Sequence, residues 1–209
     1  MSDSEVFDRW ADNYDDDVAQ SDQAETFPFA GYGKVLDTIS RKVLSRKPGH
    51  LLDIGTGSGI LAARFYHAGW EVTALDFSEE MLRQARQRMP AAKFTLSDFS
   101  NELSQELSGM SFDFITMTYA LHHLRYEKQA EFIRSLIPLL RENGKILVGD
   151  IAFETRSDLE ACQKRFPGEW DEDEYYPILT ETEKQLSDLQ VHFEVVSFCA
   201  GIFEVSPIK

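Results

Sequence analysis

Two different periodicities of apolar and polar positions divide the chain. Between residues 4 and 19, Phe7, Trp10, Tyr14 and Val18 recur at helical spacing on one face, which predicts an amphipathic helix. A second helix is expected with Phe29, Tyr32, Leu36, Ile39 and Val43 inward and Lys34, Arg41 and Lys42 outward. Gly31 and Gly33 weaken its first turn and leave its start open. After the turn signal Pro48-Gly49 the pattern changes. The runs "HLLDI" (50–54), "EVTALD" (71–76), "KFTLS" (93–97), "FDFITMT" (112–118) and "KILVGDI" (145–151) predict strands. Helical patterns lie between most of them, near 59–68, 78–88 and 126–140, while 101–108 has no clear period. Mostly apolar strands alternating with helices predict an α/β fold, a doubly wound parallel sheet covered on both faces. The end differs: "VHFEVVSFCAGIFEVSPI" (191–208) reads as two β-rich runs joined at Ala200-Gly201, an antiparallel hairpin closing one edge.

The chemistry concentrates in "LLDIGTGSG", where a strand runs into Gly55, Gly57 and Gly59 and a helix begins at once. The dinucleotide fingerprint needs a third glycine where this chain has Ile60, and no Gly-Lys-Ser/Thr follows for a P-loop. Asp53 stands two places before the loop, where it would repel a pyrophosphate. A carboxylate there favours instead the sulfonium and ammonium groups of S-adenosylmethionine. Gly55, Thr56 and Gly57 let backbone approach the ligand. Asp76 closes the second strand, where a carboxylate accepts from ribose hydroxyls, and Phe77 lies against adenine. Asp98 closes the third strand and is expected to accept from the adenine amino group, with Phe99 shaping the pocket. Taken singly, Asp76 also reads as a helix-capping residue and Asp98 as a turn residue. Three acidic residues at three successive strand ends point to a sulfonium-cofactor site.

"LLDIGTGSG", "ALDFSEEML", "SDFS" and "FDFITMTYALHHL" together resemble the class I S-adenosylmethionine-dependent methyltransferases. The opening "FDRWADNYD" and the short tail are most similar to the small YrrT-like methyltransferases of Gram-positive bacteria. The resemblance implies a Rossmann-like sheet of about seven strands with the last antiparallel. It also implies cofactor roles for Asp53, Gly55, Gly57, Asp76 and Asp98. One domain is expected over 1–209: a helical lid over 1–47, a cofactor-binding core over 48–154, an acidic helical insert over 155–190 and a hairpin over 191–209. In that arrangement Tyr14 of the lid lies nearest the methionyl end of the cofactor. Enzymes acting on exocyclic amines of bases or glutamine amides carry an Asn/Asp-Pro-Pro-aromatic turn after the fourth strand. This chain has "TYALHHL" there, and neither cysteine follows a proline as in the cytosine-carbon enzymes. A small-molecule acceptor is the class left. Trp10, Tyr14, Tyr32, Tyr119, His122, His123 and "EWDEDEYY" (169–176) are candidates for its pocket, with His122 or His123 as a general base.

Composition narrows the partners. Lys plus Arg number 21 against 36 Asp plus Glu, a net charge of −15, which disfavours nucleic acid. The one basic stretch, "RQARQR", reads as a solvated helix face. Cys162 and Cys199 are far apart and outside any CxxC, so two reduced thiols are expected, with no disulfide framework. The acidic start and the lack of a long apolar run make a cytoplasmic location, with no membrane span, the expectation. No HExxH motif or Cys/His cluster with ligand spacing occurs, so no metal is expected. Two other classes stay open: a cofactor-binding protein without transfer activity, serving as sensor or partner subunit, and a nucleotide-binding oxidoreductase.

Overall fold

The structure, a computed structural model, describes residues 14–99 and 107–208. Helices α1 (Tyr14–Gln23) and α2 (Tyr32–Leu44) lead into β1 (His50–Ile54), α3 (Ile60–His67), β2 (Glu71–Asp76), α4 (Glu79–Arg88) and β3 (Lys93–Leu96). Then come β4 (Phe112–Thr118), a 3-10 turn (Leu121–His123), α5 (Tyr126–Leu136), β5 (Leu140–Ile151), α6 (Arg156–Arg165), α7 (Leu179–Gln185), β6 (Leu189–Val195) and β7 (Ala200–Pro207). The seven strands form one sheet in the order β3-β2-β1-β4-β5-β7-β6. Neighbouring pairs from β3 to β5 are parallel, and β7 runs antiparallel between β5 and β6. The order reverses between β1 and β4, and ligands enter such sheets at the carboxyl ends flanking that switch.

Apolar residues point to both faces of each central strand. Leu51 joins a core with Ile39, Val43 and Phe65, while Leu52 and Ile54 join a second core with Ile115, Met117 and Ile133. Burial on both sides is why these strands read as almost continuous apolar runs.

The uncertain start of α2 has a specific solution. The Asp22 carboxylate, at the end of α1, accepts from the backbone N–H groups of Gly31 and Gly33, both at 2.9 Å. A residue nine positions upstream thus does the work of a local cap.

Two boundaries differ from expectation. Helix α5 stops at Leu136, because Pro138 sits in the following Ile137–Leu139 turn, and β5 begins already at Leu140. The hairpin turn falls at 196–199, not at Ala200-Gly201, which pair inside β7 with Ile151 and Asp150. Gly201 marks close packing: a Cβ there would lie 2.2 Å from the Phe193 ring. Phe7 and Trp10 lie outside the described residues, as does the side chain of Tyr14.

Candidate functional site

Beyond β1 the chain turns back over β2, with the N–H groups of Gly55 and Thr56 both donating to the Leu75 carbonyl at 2.8 and 3.1 Å. Gly55 and Gly57 take φ values of +65° and +54°, left-handed conformations that favour glycine. Their surroundings differ. A Cβ on Gly55 would stand 2.6 Å from that of Ala120, whereas nothing lies within 4 Å of the corresponding point on Gly57. Gly55 packs the loop against the end of β4, and Gly57 presents bare backbone to open space.

That space is a cleft of about 690 Å³, counting its open mouth. Asp76 lines it beside Phe77, Met81 and Phe99. The buried Asp76 carboxylate is oriented by two backbone donors, Gly57 N at 2.8 Å and Ser78 N at 2.9 Å. The Ser78 hydroxyl in turn caps α4 by accepting from Met81 N. Asp76 therefore supports the helix start and faces the cleft at once.

Asp53 is placed differently from its neighbours. Its carboxylate is buried beneath the loop, accepts from the hydroxyls of Thr116 (2.6 Å) and Thr56 (2.7 Å), and does not line the cleft. Burial pushes its pKa up to about 6, against the lowering effect of those two hydrogen bonds. Thr116, which sequence reasoning did not single out, completes this buried arrangement. Asp98 is exposed and outside the cleft lining.

A family model described as a methyltransferase domain matches residues 52–146, the stretch that contains the loop and the three strand-end carboxylates. A methyltransferase of Bacillus licheniformis, described as uncharacterized, is 31% identical over 186 residues, covering 85% of this chain and 84% of its own. Another, from Alkaliphilus oremlandii, is 28% identical over 200 residues, 96% of this chain and 86% of its own. The crystal structure of magnesium protoporphyrin IX methyltransferase from Synechocystis PCC 6803 with bound SAH superposes with a TM-score of 0.68 at 20% identity. That superposition covers 86% of this chain and 85% of that one. The chain belongs to the class I S-adenosylmethionine-dependent methyltransferases.

The other end of the methyltransferase cleft is aromatic. Tyr119 takes φ +51°, unusual for a bulky residue, while its N–H holds to the Gly149 carbonyl at 2.8 Å. This turn brings its ring 5.0 Å from that of Tyr32 and 5.6 Å from that of Phe29. Tyr32, Thr118, Tyr119 and His123 line this end. The two adjacent histidines part here. His123 reaches the cleft, and burial, then the neighbouring His122, push its pKa down to about 3. His122 turns away into the protein, with its Nδ1 2.5 Å from Asp150 Oδ1. Burial alone would lower its pKa, but the charge and hydrogen bond of Asp150, with Glu174 and Asp171 beyond, raise it overall.

Asp150, at the carboxyl end of β5, is a residue the sequence pattern marks only as part of a strand. It also accepts from the N–H groups of Leu121, His122 and Ile151. A carboxylate at the end of the apolar run 146–151 was the available signal. The acidic insert is tied to the same turn, since Tyr175 N donates to the His122 carbonyl at 2.8 Å and Gln129 Nε2 to the Tyr175 carbonyl.

Proposed function

We propose that this methyltransferase holds S-adenosylmethionine along the glycine loop and methylates a small molecule taken between Tyr32, Tyr119 and His123. The observation that carries this reading is one cleft with a pre-oriented carboxylate, Asp76, on one flank and aromatic rings on another. The open space over Gly57 suits close approach of a ligand's methionyl or ribose part, and Asp76 accepts from ribose hydroxyls. Phe77 and Phe99 enclose the adenine, and Asp98, exposed and outside the cleft lining, keeps its assignment to the adenine amino group. Asp53 acts through its field and by holding Thr56 in place. S-adenosylmethionine, when bound, supplies a methyl group on a positively charged sulfur, transferred by displacement at carbon.

Tyr32 and Tyr119 exclude water from the reacting centre and offer π faces worth about 1 kcal/mol to a nearby cation. His123, neutral with a pKa near 3, orients an acceptor by hydrogen bonding; so low a pKa makes it a poor general base. The basic stretch is spent internally: Arg83 pairs with Glu80, Arg86 with Glu79, and Arg88 donates to the Ser58 carbonyl. That supports a small acceptor over nucleic acid.

Titration calorimetry tests the site. S-adenosylmethionine and its demethylated product are expected to bind, and NAD is not. A hydrogen bond to a charged group contributes about 1.5–3 kcal/mol, so Asp76→Ala should weaken binding roughly tenfold to somewhat over a hundredfold. Unchanged affinity in that variant refutes the ribose role.

A further inference from the structure

His122, His123 and Glu174 bring one ligand atom each to within 4.8 Å of one another, although 174 lies far along the chain from the histidine pair. We propose that these three side chains bind a divalent transition-metal ion, with zinc(II) or cobalt(II) the natural choice, beside the acceptor end of the cleft.

Two carboxylates flank the His122 ring. The Asp150 carboxylate accepts from Nδ1–H, which fixes the tautomer and leaves Nε2 on the opposite side of the ring. Nε2 faces a second carboxylate, Glu174 Oε1, at 3.5 Å. Without a positive charge between them, an imidazole lone pair and a carboxylate oxygen would confront each other inside the protein. That separation is longer than the about 2.7–2.9 Å to which charge-assisted N–H···O bonds close. A metal fits better: two ligand atoms bound tetrahedrally at about 2.1 Å stand about 3.4 Å apart.

The donor set is also braced as metal ligands are. Asp150 orients His122 and is itself held by three backbone N–H groups. Tyr176, two residues on from Glu174 and buried, sets its ring 6.0 Å from that of His122. Two imidazoles and a carboxylate suit zinc and its first-row neighbours, and three protein ligands are the number found where a fourth position is kept for water or substrate. Because His123 also lines the cleft, the metal lies next to the acceptor end, suited to an acceptor bearing an oxygen or nitrogen lone pair. Spacing along the sequence predicted no metal set, since the third ligand comes from the insert.

The test needs neither donor nor acceptor, so it stands apart from the methyl-transfer reading. Chelator-stripped full-length protein is titrated with zinc(II) by calorimetry and with cobalt(II) by visible absorption. One equivalent is expected to bind, and His123→Ala and Glu174→Gln should each lower the affinity at least tenfold while the thermal melt of the metal-free protein is kept. Absence of uptake by the unmutated protein overturns the proposal, whatever the variants do. Uptake with equal affinity in both variants overturns it as well.

Discussion

Asp53 and Asp76 are both buried aspartates within the loop's reach, yet their partners give them opposite characters. Asp76 accepts from backbone N–H groups and faces the cleft, whereas Asp53 is closed off beneath two threonine hydroxyls. For Asp53 the consequence is a pH dependence of stability. Its folded pKa of about 6 lies above its ordinary 3.8, so between those values the folded protein binds more protons than the unfolded chain. Its contribution is therefore fully present below about pH 4 and lost as pH rises through 6, a loss of about 3 kcal/mol. Asp53→Asn removes the titration, and its unfolding free energy should vary less with pH over that window. Urea unfolding at pH 4.5, 5.5 and 7 measures this; parallel curves for the two proteins would show that Asp53 is not the source.

At the scale of elements, the helices and strands around the cleft are placed by contacts made across the sequence. Helix α2 carries Tyr32 as its first residue, and the Asp22 carboxylate holds the N–H groups at its start. Asp22→Ala should cost about 1–2 kcal/mol in chemical denaturation, in the range of a lost helix cap. A loss under a few tenths would mean the α2 start is held by packing alone. The glycine loop offers a sharper contrast. Gly55→Ala forces a Cβ into Ala120 as well as a strained φ, and should destabilise the fold by more than 1 kcal/mol. Gly57→Ala meets only the strained φ, since the space around it is open. Its stability loss should be smaller, and its greater effect should fall on S-adenosylmethionine affinity. Thermal melts and calorimetry on both variants separate the two roles, and equal stability losses would contradict the packing difference.

Across the whole molecule, a cleft formed between separate strand ends couples ligand binding to global stability. A ligand that binds only the folded state at a hundred times its Kd adds about 2.7 kcal/mol. For a domain of this size that corresponds to a rise in Tm of roughly 5–11 °C. Thermal melts with S-adenosylmethionine or its demethylated product should show this shift, and NAD should give none. Equal shifts with NAD would revive the dinucleotide reading that the missing third glycine argues against. Among the described residues no helix is long and apolar enough to cross a membrane.

What the sequence determined by itself was local: the period of most elements, the sharp glycine turn after β1 and the position of Asp76 at the end of β2. Those features depend on neighbours within a few residues, which a linear pattern preserves. The α/β alternation was legible for the same reason, because strands buried on both faces must be apolar along their length. Other decisions belonged to tertiary structure. That Asp53 turns beneath the loop rather than into the cleft depends on Thr116, a residue of β4 adjacent in the sheet but far along the chain. Ala200-Gly201 resembles a turn in sequence, but Gly201 is small because the Phe193 ring occupies the space of its side chain. The adjacent histidines were visible, but their division of labour was not. Asp150 from β5 draws one imidazole inward, and the docked insert brings Glu174 to meet it, while the other imidazole is left at the cleft. Such clusters are assembled by strand pairing and loop docking, and no spacing along the chain records them.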